Sequence, residues 1–463
     1  MNPLSHVAAA ALAVLLSTAG HAQVRQFTPD EVERGRYLAI AGDCEACHTA
    51  PGNDQPAMAG GYPIVSPAGT IYSTNITPSR THGIGNYTEE QFSRALREGV
   101  RADGARLYPA MPYTSYAGLR DADVRALYAW FMKEVAPVDL RPAQTDLPVP
   151  LNVRSSMMAW NVLFLSDERI ADDPAHDAEW NRGRYLVETL GHCSTCHSPR
   201  GLLMQEKDGD ALAGGKLGAW YAPNITPHAV GGIGGWSKTE LVQYLATGHV
   251  ADKAEAAGPM AEAITHSFSR MTPADLEAMA TYIETVPAVP DPEAKQASYA
   301  IGARGSFEPA LRGAPASVDA GAKLYSGLCA SCHGRDGSGT RDGALPSLFH
   351  NSTVGASRPD NLLAVIFNGV DRTVGPEHVL MPLFGEGSYI QSLSNVQVAE
   401  LATFVRATFG PGDIVTEAQA ATARKGGPDS LVPFLGKVAL FAIFVVAVAA
   451  AYFFRRRRSR RTT

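Results

Sequence analysis

All six cysteines of this 463-residue chain fall into three copies of one pattern: Cys44-Glu45-Ala46-Cys47-His48, Cys193-Ser194-Thr195-Cys196-His197 and Cys329-Ala330-Ser331-Cys332-His333. No cysteine is left over, so whatever these pairs bind constrains the fold around them. Two intervening residues in a helical turn set the thiols at a fixed separation, and the histidine follows on the same turn. A structural zinc site needs two such pairs drawn tightly together, and these lie about a domain apart. A thioredoxin-like pair needs a strand–helix–strand setting that the flanking sequence lacks. Disulfides suit an exported chain but leave a histidine after every pair unexplained. The pattern matches the attachment signature of c-type haem, in which both thiols add across the haem vinyl groups and the histidine becomes the proximal iron ligand. Three covalently bound haem c groups are therefore expected. Cys44, Cys47, Cys193, Cys196, Cys329 and Cys332 would carry them, with His48, His197 and His333 on the irons.

The segments around the motifs also repeat. Arg34-Gly35-Arg36-Tyr37-Leu38 recurs as Arg182-Gly183-Arg184-Tyr185-Leu186, Asn75-Ile76-Thr77-Pro78 as Asn224-Ile225-Thr226-Pro227, and Gly83-Ile84-Gly85 as Gly232-Ile233-Gly234. A third, diverged copy begins near Asp319 with Ala320-Gly321-Ala322-Lys323-Leu324-Tyr325. In each copy a helix precedes the cysteine pair, a long Gly/Pro-rich stretch follows, and an amphipathic helix closes the unit. The closing helices are expected at Asp121–Lys133, Thr272–Thr285 and Asn395–Thr408, from apolar residues at helical spacing such as Val124, Leu127 and Phe131. Pro137–Pro150, Pro287–Pro292 and Gly410–Asp429 read as linkers. No β alternation stands out. The expected class is all-α: three tandem class I cytochrome c-like domains over residues 23–145, 146–295 and 310–412, followed by a membrane helix.

An iron closed by a second strong ligand exchanges electrons, whereas an open one binds or activates small molecules. Each copy places one methionine beside a proline between its motif and its closing helix: Met111-Pro112, Pro259-Met260 and Met381-Pro382. Met111 and Met260 each stand 63 residues beyond the proximal histidine, Met381 48 residues beyond. Equal spacing in the two similar copies is what a shared role requires, so Met111, Met260 and Met381 are the expected distal ligands. Methionine is ordinarily core filler. Met271, the rival in the second copy, aligns with Leu119 and reads as packing. His82, His249 and His266 are the alternative axial ligands. Asn75 and Asn224 suit either a haem propionate or a turn. Trp130, Trp160, Trp180 and Trp236 read as core or haem-wall residues.

The ends place the chain in a cell. Val7–Leu16 is an apolar run followed by small residues up to Ala22, and the first 22 residues hold no Lys, Arg, Asp or Glu, so residues 1–22 read as an export signal. Val438–Phe454 is free of charge and continues upstream through Leu431–Gly436 if Lys437 snorkels, so 431–454 reads as one membrane span. Six arginines in the tail 455–463 place that end in the cytoplasm and the haem units outside. With the tail set aside, the chain is more acidic than its overall charge of −6. Such a surface repels a phosphate backbone, so nucleic acid is not an expected partner.

Three C-x-x-C-H units, the NITP and GIG segments, the Tyr108–Tyr113 loop, the Gly258–Glu262 segment and the terminal anchor resemble the trihaem cytochrome c subunits of bacterial membrane-bound dehydrogenases. These serve alcohol, gluconate, sorbitol and fructose dehydrogenases. The resemblance implies an electron-transfer subunit with no catalytic centre of its own, held at the inner membrane with its haem domains in the periplasm. A separate catalytic subunit bearing flavin, pyrroloquinoline quinone or molybdenum would oxidise a CH–OH donor, and the haems would relay the electrons to ubiquinone. A small third subunit also belongs to such complexes. Two other readings compete: a respiratory cytochrome that feeds a terminal oxidase, and a haem enzyme such as a peroxidase, which needs an open iron.

Overall fold

The computed structural model describes residues 26–52, 54–207, 209–305, 319–341, 343 and 345–459. The export signal expected at 1–22 and the last four residues lie outside that range.

Each copy is organised by one helix crossing. Pro29–Ala41 packs on Asp121–Lys133, Ala178–Tyr185 on Pro273–Ile283, and Ala320–Leu328 on Asn395–Phe409. Local chemistry sets the helix starts. Thr28 and Glu31 form a capping box, as do Ser394 and Gln397, while Thr272 caps Pro273–Ile283. The crossings explain the repeated glycine. A Cβ on Gly35, Gly183 or Gly321 would lie 1.9, 1.9 or 2.3 Å from the carbonyl oxygen of Ala126, Ala278 or Glu400. An aromatic residue, Trp130, Tyr282 or Phe404, flanks each contact.

The other repeated residues join one copy to another. Arg34 donates to Asp123 within the first copy (2.7 Å), and Arg182 donates to Asp275 within the second (2.8 Å). Tyr185 of the second copy then donates to Asp123 of the first, and Tyr37 of the first to Asp275 of the second, both at 2.6 Å. The exchange is reciprocal, so copies one and two are related by a local pseudo-two-fold. They also share a single apolar core running from Leu38, Leu119 and Leu127 to Leu186, Ile264 and Met279. The third copy has Ala320, Lys323 and Gln397 at the corresponding places and builds a separate core around Tyr325, Leu363, Val398 and Phe409. It is fastened by polar contacts. Buried Arg372 donates to the Ala256 carbonyl (2.8 Å) and to Glu255 (2.9 Å), and Asn361 exchanges two bonds with the Tyr221 backbone.

The structure corrects the all-α expectation. Among the described residues there are four small antiparallel hairpins: Pro63–Ser66 with Gly69–Tyr72, Gly215–Leu217 with Trp220–Ala222, His249–Val250 with Ala254–Glu255, and Val370–Val374 with Glu377–Met381. Strands of two to five residues are too short to show period-two alternation. Pro137–Pro150 is no free linker either, since Thr145 accepts from the Tyr72 N–H (2.9 Å) and Asp139 from the Ser79 hydroxyl. Nor is Gly410–Asp429, which contains the capped helix Glu417–Arg424 with Ala420 buried against the third core. The last helix runs Val432–Ser459, and its Val432–Phe453 stretch is long and apolar enough to cross a membrane, with no residue of its apolar window buried.

Candidate functional site

Each motif occupies a single short helical turn at the end of an opening helix. Cys44–His48, Ser194–His197 and Ala330–His333 are helical, and the second and third are preceded by Cys193 and Cys329 in helical backbone. In the second copy a π-helical turn, Leu186–Leu190, leads into the motif. All six thiols are free of disulfides.

The histidines are held alike. His48 Nδ1 lies 2.6 Å from the Thr74 carbonyl, His197 Nδ1 2.7 Å from the Pro223 carbonyl, and His333 Nδ1 3.0 Å from the Pro346 carbonyl. Only a protonated Nδ1 can donate to a carbonyl, so each bond selects the tautomer whose Nε2 lone pair is free for a metal. Burial, partly opposed by these bonds, pulls all three imidazoles below their ordinary pKa and favours the neutral ring. In copies one and two the accepting carbonyl stands 26 residues past the histidine, just after the first and second hairpins. The strands missed by sequence reasoning are therefore the parts that aim the ligand. The repeated Asn75 and Asn224 lock that carbonyl in place. Asn75 Oδ1 accepts from the Thr77 N–H and hydroxyl, and its amide donates to the Val138 and Leu140 carbonyls (2.8 and 3.0 Å). Asn224 repeats this with Thr226 and Val289. Their hydrogen bonds are spent on the turn. Gly83 and Gly232 pack on the same turn, where a Cβ would sit 2.1 Å from the Thr77 or Thr226 carbonyl oxygen.

Cys44, Cys47, His48 and Met111 line one cavity together with Cys193, Cys196, His197 and Met260, and its volume is about 3000 Å3. That exceeds the ~300–1,000 Å3 typical of a one-ligand pocket. Cys47 is open to this cavity, yet the surrounding protein raises its thiol pKa. Burial pushes Cys44, Cys193 and Cys329 up to about 12 and Cys196 to about 11. Such thiols are poor nucleophiles at neutral pH, the opposite of what a dithiol oxidoreductase requires. The two motifs abut. Asp43 and His192, each just before a first cysteine, have φ of +51° and +37°, and His192 meets Tyr116 of the first copy edge-on at 5.6 Å. Burial drives His192 down to about 4 and Asp43 well above the usual carboxylate range.

Met111 and Met260 are half-buried on this cavity, whereas Met271 is buried in the shared core. Met381 ends the Glu377–Met381 strand and packs, with Cys329, against the third core. His82 borders the cavity. His249 pairs with Glu255, and His266 stands 3.6 Å from Glu45. Trp130 packs on the Gly35 crossing, Trp180 stacks on His176 at 3.7 Å, Trp236 lines the cavity, and Trp160 donates to the Leu203 carbonyl (2.9 Å). Sequence reasoning missed Thr74, Pro223 and Pro346, because a backbone carbonyl leaves no residue-type signal beyond the repeated Asn that follows it.

Paired thiols on a helical turn, a metal-ready imidazole and an apolar cavity fit covalent haem c, and they define a c-type cytochrome whose chemistry is electron transfer. Family models agree. Residues 181–287 match "Cytochrome c", and residues 316–405 match "Cytochrome C oxidase, cbb3-type, subunit III". Over most of its length the chain is 46% identical to the fructose dehydrogenase cytochrome subunit of Gluconobacter japonicus, covering 92% of this chain and 90% of that one. It is 39% identical to the cytochrome c subunit of alcohol dehydrogenase (quinone) of Gluconobacter oxydans (88% and 85% covered). It is 38% identical to the gluconate 2-dehydrogenase cytochrome c subunit of Pantoea cypripedii (89% and 94%). The chain belongs to this family of dehydrogenase cytochrome c subunits: it carries electrons for a dehydrogenase and has no catalytic centre of its own.

Proposed function

We propose that the chain holds three haem c groups and relays electrons from a periplasmic catalytic subunit that oxidises a CH–OH donor to ubiquinone in the inner membrane. Bound haem c supplies one-electron exchange between ferric and ferrous iron. The protein's part would be to hold each iron through a pair of side chains, His48 with Met111, His197 with Met260, and His333 with Met381. Methionine opposite histidine raises the potential, which suits an acceptor of electrons from a reduced organic cofactor. The observation that carries the reading is the shared cavity. It borders the first two motifs and extends to Leu431, Val432 and Leu435 at the foot of the apolar helix, so these sites and the anchor face one continuous cavity. Relatives that serve fructose, alcohol and gluconate dehydrogenases, whose substrates share an alcohol carbon, support a CH–OH donor, while one 40% identical to this chain serves nicotinate dehydrogenase. Charge-free Val438–Phe454 with arginines after it supports a periplasmic orientation.

The test is purification from detergent-solubilised membranes. A large catalytic subunit is expected to accompany the chain, and the complex to reduce a ubiquinone analogue on addition of substrate. The chain stripped of that subunit is expected to oxidise no alcohol or sugar. Substrate-dependent reduction of the isolated chain would overturn the proposal.

A further inference from the structure

Helix Ser156–Phe164, in the connection between the first two copies, is turned inside out. Its buried residue is a polar one. Asn161 accepts from the Tyr113 hydroxyl (2.8 Å) and donates to the Glu98 carbonyl (3.0 Å), pinning the helix to the first copy. Three of its apolar residues face outward, with Val162 85%, Leu163 66% and Met158 54% exposed. Trp160 donates to the Leu203 carbonyl and so draws the Leu202–Leu203 loop alongside, with Leu202 74% exposed. No charge interrupts Ser155–Ser166. Five exposed large apolar side chains on two segments joined at Trp160 demand an explanation, because singly scattered ones are normal and clustered ones mark an interface.

The apolar C-terminal helix identifies the occupant. A Cβ on Gly436 would lie 3.0 Å from Pro150 Cδ and 3.6 Å from Leu151 Cδ2, so the helix passes in contact with the turn that leads into Ser156–Phe164. Gly436 is four residues past Val432, about 6 Å along the axis at 1.5 Å per residue. Once that helix enters hydrocarbon, Pro150 and Leu151 are held at headgroup level, and the outward face beside them meets lipid. We propose that Ser156–Phe164 and the Leu202–Leu203 loop form a second, monotopic membrane contact, seated in the outer interface of the bilayer beside the anchor. The proposal rests on the reading of Val432–Phe453 as a span. An interfacial helix of this kind is held by its buried apolar area and adds to a single anchor. Here it would fix the tilt of the first two copies over the membrane.

Trypsin separates the relevant segments. The full holo-complex is placed in liposomes whose phospholipid carries a photoreactive diazirine high on an acyl chain, then illuminated and digested. Lipid adducts are expected on peptides 155–169 and 201–207 as well as on 438–455. V162E/L163E alters only exposed side chains, so haem content and co-purification are expected to hold while adducts on 155–169 are lost. Adducts on 438–455 alone would overturn the second contact and leave the anchor standing. Cross-linking of 155–169 to the catalytic subunit in place of lipid would also overturn it, by assigning the patch to a protein interface. Absence of lipid from all three peptides would overturn the anchor reading itself.

Discussion

Copies one and two are bound to each other in a way that copy three is not. All three keep the glycine that lets the opening helix cross the closing one, at Gly35, Gly183 and Gly321. Copies one and two also keep an arginine, a tyrosine and an aspartate, and spend them across their boundary: Arg34 and Tyr185 meet on Asp123, Arg182 and Tyr37 on Asp275. Copy three has lost these residues and its share of the common core, and is fastened through Arg372 and Asn361. The short repeated motif thus carries two roles on one helix. The glycine side builds a domain, and the tyrosine side builds a pair of domains. Copy three, which builds a domain but no such pair, has the glycine without the tyrosine. The same division reaches the metal sites. The first two motifs border one cavity, with histidine-holding carbonyls at equal offsets, whereas His333 reaches a carbonyl 13 residues on, past a glycine-rich loop.

This contrast is open to attack by mutation. The largest effect is expected at the joint to copy three. Arg372→Met removes the buried donor shared by Glu255 and the Ala256 carbonyl, and with His249 still on Glu255 the loss is about 3 kcal/mol. Limited proteolysis is expected to release copy three while copies one and two stay together; their separation instead would erase the distinction. Next come the helix crossings. Gly183→Ala and Gly321→Ala each drive a methyl into a backbone carbonyl, at about 1–3 kcal/mol or more. Scanning calorimetry is expected to show Gly183→Ala lowering a transition shared by copies one and two, and Gly321→Ala lowering a separate one. A single transition moved by both would contradict the two-core description. Tyr37→Phe and Tyr185→Phe remove one bond each to a carboxylate, about 1–2 kcal/mol apiece, and are expected to lower only the shared transition.

The smallest effect is expected from acid. Glu45 of the first motif reaches into the second copy. A contact from His266 and the pair with Arg270 outweigh burial and hold Glu45 at about 2, against an ordinary 4.5. Arg270 at 2.9 Å is the firmer partner, since 3.6 Å to His266 is long for a hydrogen bond. A carboxylate whose pKa falls on folding stabilises the folded state fully above its unfolded pKa. That contribution is lost as pH drops from about 4.5 toward 2. It amounts to about 1 kcal/mol after solvent screening. Glu45→Gln is expected to remove this part of the acid sensitivity of the shared transition, which a pH series of melting curves reads directly.

How much of this was legible follows from what each feature depends on. The motif turns, the closing helices and the apolar terminal helix follow from side-chain type and period, so Asp121–Lys133 was readable to the residue. Three small hairpins in the first two copies and a fourth, ending at Met381 in the third copy, were not, because their strands are too short to leave a period. The partners of Asn75 and Asn224 were not, because they are backbone carbonyls brought in from 63 to 65 residues away. Tyr37 and Tyr185 were visible as repeated residues, but repetition alone does not say whether a residue serves its own copy or the neighbouring one. Helix Ser156–Phe164 escaped because its apolar face reads like any core-facing stripe until the structure shows Asn161 on the inside.

The central claim is that each iron is closed by an imidazole nitrogen and a thioether sulfur. Near-infrared magnetic circular dichroism of the fully oxidised holo-chain reports the axial pair at every low-spin haem. The account requires three histidine–methionine signatures, with Met111→Leu, Met260→Leu and Met381→Leu each deleting one. A high-spin haem in the wild-type chain, a bis-histidine band, or a signature count unchanged by those substitutions would contradict it.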